Sequence, residues 1–138
     1  MSGIPSREAR LAHASVHCEL WNAEKKDEWV ASWRTIAQGE VRLLDPVGTK
    51  EKTGFETATS KAYDKFRPHL EMHMLTVHVN GNEMAWVIEN HFKAGEEVLK
   101  TYSIETFQWE EDGSLLIKTY YPMPENIGPD DDPYEHLL

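Results

Sequence analysis

Several side chains in this sequence have types and spacings that can do chemistry. His69, Glu71 and His73 stand at i, i+2 and i+4 in a β-rich stretch, so they share one strand face. Two imidazoles and a carboxylate can bind zinc or iron, although histidines on an edge strand are often simply solvated. Glu89 and His91 would form an acid/base pair if their face of the next stretch lined a pocket. Glu105 shares a largely apolar strand face with Leu99, Phe107 and Trp109, where burial would raise its proton affinity. Asp45 ends the run Val41-Arg42-Leu43-Leu44 and precedes Pro46, so by residue type it is a turn former. Cys18 is the one cysteine, which excludes an internal disulfide, and it reads as a small buried apolar side chain. No P-loop, paired Cys-x-x-Cys or Gly-x-Ser-x-Gly pattern is present.

The elements that position these groups follow from periodicity and turn chemistry. Ser6 can cap a helix beginning near Arg7. Leu11, Ala14, Cys18 and Trp21 then recur at helical spacing, as do Ala12, Val16 and Leu20. A second helix is expected over Lys26 to Ala37, with Trp29, Val30, Trp33 and Ile36 as its apolar stripe and Gly39 as its stop. Val41 to Asp45 reads as a strand, ended by Pro46 and Gly48, and Thr49 to Thr53 as a polar loop. A third helix is expected from Glu56 to Phe66, with Pro68 beyond its end.

Antiparallel sheet follows. Its strands are expected at His69 to Val79, Glu83 to Phe92, Val98 to Trp109 and Leu115 to Tyr121, with Asn80-Gly81 as the strongest hairpin signal. His78 falls on the face opposite His73, and no role is assigned to it. Helices first, then a strand, a helix and a four-strand meander make an α+β fold rather than a parallel doubly wound sheet.

The chain has 138 residues and a formal net charge of −10, consistent with one domain that can hold its own core. Residues 123–138 hold five acids and no Lys or Arg, which leaves 19 acids against 14 bases in the rest. We expect a domain over residues 1–122 and an acidic, Pro-rich tail over 123–138. The prolines should keep that tail extended and non-helical, and its composition permits disorder. An acidic body repels phosphate, so nucleic acid and anionic membranes are not expected partners. No apolar run approaches the ~20 residues of a membrane span. The N-terminal stretch has charges where a signal peptide needs an apolar core, so a soluble, cytoplasmic protein is expected.

The order of elements, together with Glu19-Leu20-Trp21-Asn22, the short helix with Trp29, and Asp45-Pro46-Val47-Gly48 after the first strand, resembles the ketosteroid isomerase and SnoaL-like polyketide cyclase group of the nuclear-transport-factor-2-like superfamily. The resemblance covers roughly Arg7 to Tyr121. It implies a cone-shaped domain with N-terminal helices packed on a curved, mostly antiparallel sheet and a hydrophobic pocket between them. It is specific for fold and weakly specific for chemistry, because such a scaffold serves many reactions and also non-catalytic binders.

By the same resemblance, Asp45 matches the general base of the isomerases, Glu105 matches a carboxylic acid that holds an enolate oxygen, and His17 stands where the family has a Tyr. The implied activity is cofactor-independent isomerisation or dehydration of a hydrophobic, ring-bearing small molecule, with no metal. A non-catalytic binding or interaction domain is the alternative. The resemblance also implies a homodimer through the sheet face. Trp21, Trp33, Tyr63 and Phe66 are expected to wall the pocket, as are Trp86, Phe107 and Tyr120. The face of strand 83–92 stays open: burial points Met84, Trp86, Ile88 and Phe92 inward, whereas aligning its turn with the family points Glu89 and His91 inward.

Overall fold

Ser6 opens α1 (Arg7–Asn22), its hydroxyl accepting the Ala9 N–H at 3.1 Å, and Glu8 places negative charge in the first turn. The computed structural model describes residues 2–138, with His136 described by its backbone alone. The buried side of α1 carries Arg10, His13, Ala14, His17, Cys18 and Trp21. That side is rotated from the stripe of highest hydropathy, and Leu11 is 38% exposed. Arg10 is tolerated inside because its guanidinium donates to the Gly81 and Glu83 carbonyls at 2.9 and 3.2 Å and lies 5.5 Å from the centre of the Trp109 ring.

α2 (Lys26–Arg34) is shorter than expected. The chain leaves the helix at Thr35, and the Ile36 carbonyl accepts the Trp109 indole N–H at 2.7 Å. β1 (Val41–Leu44) pairs antiparallel with a two-residue strand, β2 (Lys52–Thr53), where a polar loop was expected. The expected third helix is broken at Thr59 into α3 (Phe55–Ala58) and α4 (Ser60–Phe66). A 3-10 turn, Arg67–His69, then leads into β3 (Leu70–Asn80). His69 therefore belongs to the turn rather than to the strand face of Glu71 and His73.

β4 (Glu83–Ala94), β5 (Glu97–Trp109) and β6 (Leu115–Tyr120) complete a six-stranded sheet of order β2-β1-β6-β5-β4-β3. Only β1 and β6 run parallel, so the fold is α+β with a mostly antiparallel sheet. Met84, Trp86, Ile88, Asn90 and Phe92 of β4 are all buried beneath the helices. The ring centres of Trp86 and Phe107 lie 4.4 Å apart, and Trp33 of α2 closes on Trp86 at 6.0 Å. Burying aromatics of this size contributes roughly 2–3 kcal/mol each.

The register of β3 against β4 shifts between Met74 and Thr76. Met72 and Met74 are buried or half-buried before this bulge, and Val77 and Val79 after it. The extra residue reverses the alternation. His78, opposite Ala85, thus faces the same outer side as His73, not the opposite one.

Gly39 and Gly3 both press on Gly113, a turn residue with φ +89°. A Cβ on Gly39 would stand 2.6 Å from the Gly113 carbonyl carbon, inside any real contact, and the obstacle is backbone. Gly39→Ala is expected to destabilise the protein by about 2 kcal/mol, read as a lower urea midpoint at unchanged slope. An unchanged midpoint would contradict this packing.

Beyond β6 the chain returns past α4. The Lys50 N–H donates to the Pro129 carbonyl at 2.8 Å, and Lys65 pairs with Asp132 at 2.7 Å. Tyr134 and Leu137 join the hydrophobic core. Burial of these two side chains folds Glu135–Leu137 into a 3-10 turn, so the tail's end is not extended as its prolines suggested. Among the described residues no helix is long and apolar enough to cross a membrane.

Candidate functional site

Each element lends the site side chains at its own period. Leu43 on β1 and Asp45 just past its end lie two apart and border the cavity, and so do Asn90 and Phe92 on β4, Ser103 and Glu105 on β5, and Ile117 and Thr119 on β6. On the helices the spacing is four: His17 and Trp21 on α1, Trp29 and Trp33 on α2, Ala62 and Phe66 on α4. Together these side chains enclose a cavity of about 100 Å³. His17, Asp45 and Glu105 all border it.

The two carboxyls differ in their surroundings. Burial, with the negative charge of Asp45 as a second cause, pushes Glu105 up from 4.5 to about 8. Asp45 is also raised by burial, but a hydrogen bond from Tyr134 and the charges of Lys52 and Lys65 oppose that rise. The Tyr134 hydroxyl donates to Asp45 Oδ1 at 2.5 Å. The hydrogen bond and the two lysines favour ionised Asp45, whose charge in turn holds the proton on Glu105, so Asp45 is the first of the pair to ionise. His17 lies well below the usual imidazole range because it is buried, with His13 beside it, so it is neutral. Its Nδ1 and the indole nitrogens of Trp29 and Trp33 have no hydrogen-bond partner among the described residues. The Asn90 amide donates to Ser103 Oγ at 3.0 Å, which satisfies the other polar pair on the sheet floor.

Asp45 also borders a second, polar cleft of about 270 Å³. Lys50, Lys52 and Lys65 line that cleft with Asp130, Asp131 and Asp132 of the tail. Asp45 thus borders both an apolar cavity and a polar cleft.

Of the expected pocket residues, Trp21, Trp33 and Phe66 border the cavity. Tyr63 stands behind Trp21, edge-on, with ring centres 5.1 Å apart. Trp86 and Phe107 are wholly buried behind Trp33 and support the wall without forming it. Glu89 and His91 are corrected: they lie on the outer sheet face, because the apolar residues of β4 take the inner one. Tyr120 is corrected for the same reason, being outward and exposed opposite Ile104. Tyr121, one residue past the strand end, borders the cavity in its place.

Sequence reasoning missed Tyr134, which is 89 residues from its partner Asp45. The usable signal was one aromatic residue in a tail otherwise rich in Asp and Pro. Its ring packs against Phe66 and Tyr121 at 5.1 and 5.3 Å between centres, so it fills part of the space beside Asp45. Tyr134→Phe keeps that ring and removes a hydrogen bond that favours ionised Asp45. The expected result is a higher pKa for Asp45, seen as an upward shift of the acid limb in a pH profile of ligand binding. An unmoved limb would mean that the hydroxyl does not set the charge of Asp45.

No family profile and no curated protein matches this chain in sequence. Solved structures match it in shape. An epoxide hydrolase/cyclase-like enzyme, SalBIII, of pyran ring formation in the polyether salinomycin, superposes with a TM-score of 0.67 at 12% identity, over 86% of this chain and 95% of its own. A protein assigned as a SnoaL-like polyketide cyclase, from Jannaschia sp. CCS1, gives a TM-score of 0.57 at 16% identity over 82% of both chains. The fold is SnoaL-like. A computationally designed 17-OHP binder matches as well, with a TM-score of 0.57 at 14% identity, over 88% of this chain and 92% of its own. At such identities the SnoaL-like likeness establishes the scaffold, and the chemistry must be argued from the side chains at the cavity.

Proposed function

We propose that this chain is a cofactor-independent enzyme that performs acid/base chemistry on a hydrophobic, ring-bearing small molecule, with Asp45 taking a proton and Glu105 giving one. The observation that carries this reading is the pair itself: two carboxyls on one largely apolar cavity, the first with a hydroxyl donor and two lysines favouring its charge, the second pushed up to about 8 by burial and by that charge. A substrate carbonyl beside Glu105 and His17 would accept hydrogen bonds from the carboxylic acid and from a neutral imidazole N–H. Asp45 would then remove a proton from the carbon next to that carbonyl, and the electron pair would move onto the oxygen. Return of the proton at a more distant carbon gives a double-bond shift. Loss of a β-hydroxyl as water, with the proton supplied by Glu105, gives dehydration.

A second reading is epoxide opening, in which Glu105 protonates the epoxide oxygen and Asp45 takes the proton of the attacking hydroxyl or water. The polar cleft behind Asp45 favours it by giving water a way to the base, and SalBIII supplies the analogy. In either reading a ring-bearing substrate needs more room than about 100 Å³, so side chains that line the cavity must shift to admit it. The outer face carries exposed Val98, Tyr102, Ile104 and Tyr120 on β5 and β6, which supports pairing of two copies through that face. Light scattering should then report twice the chain mass, and a monomer at all concentrations would remove the dimer.

The test of function is titration with a planar phenol such as a naphthol, a mimic of the enolate. Binding is expected, weakened about tenfold or more in Asp45→Asn and in Glu105→Gln. Binding unaffected by either substitution would place this chain among the non-catalytic binders of the fold.

A further inference from the structure

The outer face of the sheet carries a second cluster of ligating side chains, which the cavity chemistry does not use. β3 and β4 are paired so that Glu71 stands opposite His91 and His73 opposite Glu89. Directly opposed residues on one face bring their Cβ atoms to about 5 Å. The diagonal pair is also close: the His73 and His91 rings are 4.8 Å apart between centres. One ligand atom from each of Glu71, His73 and His91 can be chosen so that all lie within 4.8 Å of one another.

We propose that Glu71, His73 and His91 form a surface site for a zinc-class divalent cation, with Glu89 positioning His91. A tetrahedral ion with bonds of about 2.0–2.2 Å needs ligand atoms roughly 3.4 Å apart. Half-exposed side chains on a strand pair reach that by small rotations. Two imidazoles and one carboxylate select zinc, cobalt, nickel or copper over magnesium and calcium, which take oxygen ligands. Glu89 Oε2 lies 2.8 Å from His91 Nε2, so that nitrogen carries the proton and Nδ1 is left for the metal. A carboxylate holding the far nitrogen of a ligating histidine fixes its tautomer and orientation.

Lys93 Nζ donates to Glu71 Oε1 at 2.7 Å, so a cationic group already occupies the side of the carboxylate that an ion would take. The cation would displace Lys93 from Glu71. The three ligands lie on β3, the edge strand, and on β4 next to it, and Glu89 reaches the border of the apolar patch, where the Tyr102 hydroxyl donates to its Oε1 at 3.2 Å.

The test uses the full chain, stripped with chelator and dialysed. Cobalt is titrated in, watched by visible absorption, and zinc is followed by calorimetry. One ion per chain with micromolar affinity is expected, with at least a tenfold loss in His73→Ala and in His91→Ala. Glu89→Gln is expected to weaken binding about tenfold, as loss of such outer partners does. His69→Ala and His78→Ala should bind as the parent does. All five positions are at or near the surface, and circular dichroism checks that each variant folds. Absence of a cobalt spectrum and of zinc heat would overturn the proposal. Equal binding by the parent and the His73→Ala/His91→Ala double variant would do the same.

Discussion

Asp45→Asn is expected to lower kcat by about a thousandfold with little change in KM, once a substrate is found, because a positioned base contributes roughly 10²–10⁴ in rate. Asn keeps the shape of Asp and can still accept the Tyr134 hydroxyl through its amide oxygen. The fold should therefore survive, which separates the chemical effect from a structural one. The substitution also removes the negative charge that helps raise Glu105. In the variant, the Glu105 pKa should fall from about 8 toward its ordinary value, with burial alone still holding it above 4.5. A thousandfold loss of turnover with a thermal midpoint near neutral pH that does not fall, and rises by whatever the buried charge costs, is the expected pair of results. Full turnover by this variant would remove Asp45 from the mechanism.

Glu105→Gln should show the second large effect, and it runs through stability as well as rate. The folded chain holds the Glu105 proton up to about pH 8, whereas an unfolded glutamate releases it near 4.5. Between those values folding takes up a proton. Stability from this group is therefore fully present below pH 4.5 and is lost as pH rises to about 8. Gln resembles the neutral acid and cannot titrate. The variant should match the parent near pH 5 and exceed it at pH 9 by on the order of 3–5 kcal/mol, since each tenfold change in proton affinity between the folded and unfolded chain is worth about 1.4 kcal/mol. Urea midpoints at the two pH values measure this. Parallel curves would mean that Glu105 is ionised in the folded protein. Turnover should also lose its alkaline limb near pH 8, and fall by about 10² if Glu105 must deliver a proton rather than a hydrogen bond.

His13 acts in the opposite direction. Burial holds it down to about 4, so the unfolded chain binds more protons between that value and 6.5, and stability falls as pH falls through this window. Together, Glu105 and His13 place the most stable range in the mildly acidic region, where the two windows overlap and their opposite slopes offset each other.

The sheet was legible because its signals are local. Asn80-Gly81 marks the β3–β4 turn, whereas the inner face of β4 stayed open, since burial of Met84, Trp86, Ile88 and Phe92 pointed one way and the alignment of the turn the other. The end of β1 at Asp45-Pro46 was legible for the same reason. Departures arose where a local rule meets a distant partner. Arg10, His13 and His17 are polar, so a hydropathy stripe passes over the side of α1 that is buried; what admits Arg10 is a pair of carbonyls more than 70 residues away. The bulge after Met74 turns His78 to the outer face, and an alternation rule carries no sign of it. Tyr121, not Tyr120, borders the cavity because it continues the inward two-residue period of Ile117 and Thr119 past the strand end. Tyr134 reaches Asp45 only through the tail's return past α4, which no periodicity encodes.

The proposed chemistry requires that one carboxyl at the cavity keep its proton while its neighbour is charged. Carbon-13 NMR of chain labelled at the glutamate carboxyls, titrated from about pH 4 to about pH 10, reads this directly. The expected result is one glutamate resonance that stays in its protonated position through neutral pH, moves near pH 8, and is missing from Glu105→Gln. If every glutamate carboxyl is instead ionised well below neutral pH, Glu105 is an ordinary carboxylate and the proposed acid/base pair does not exist.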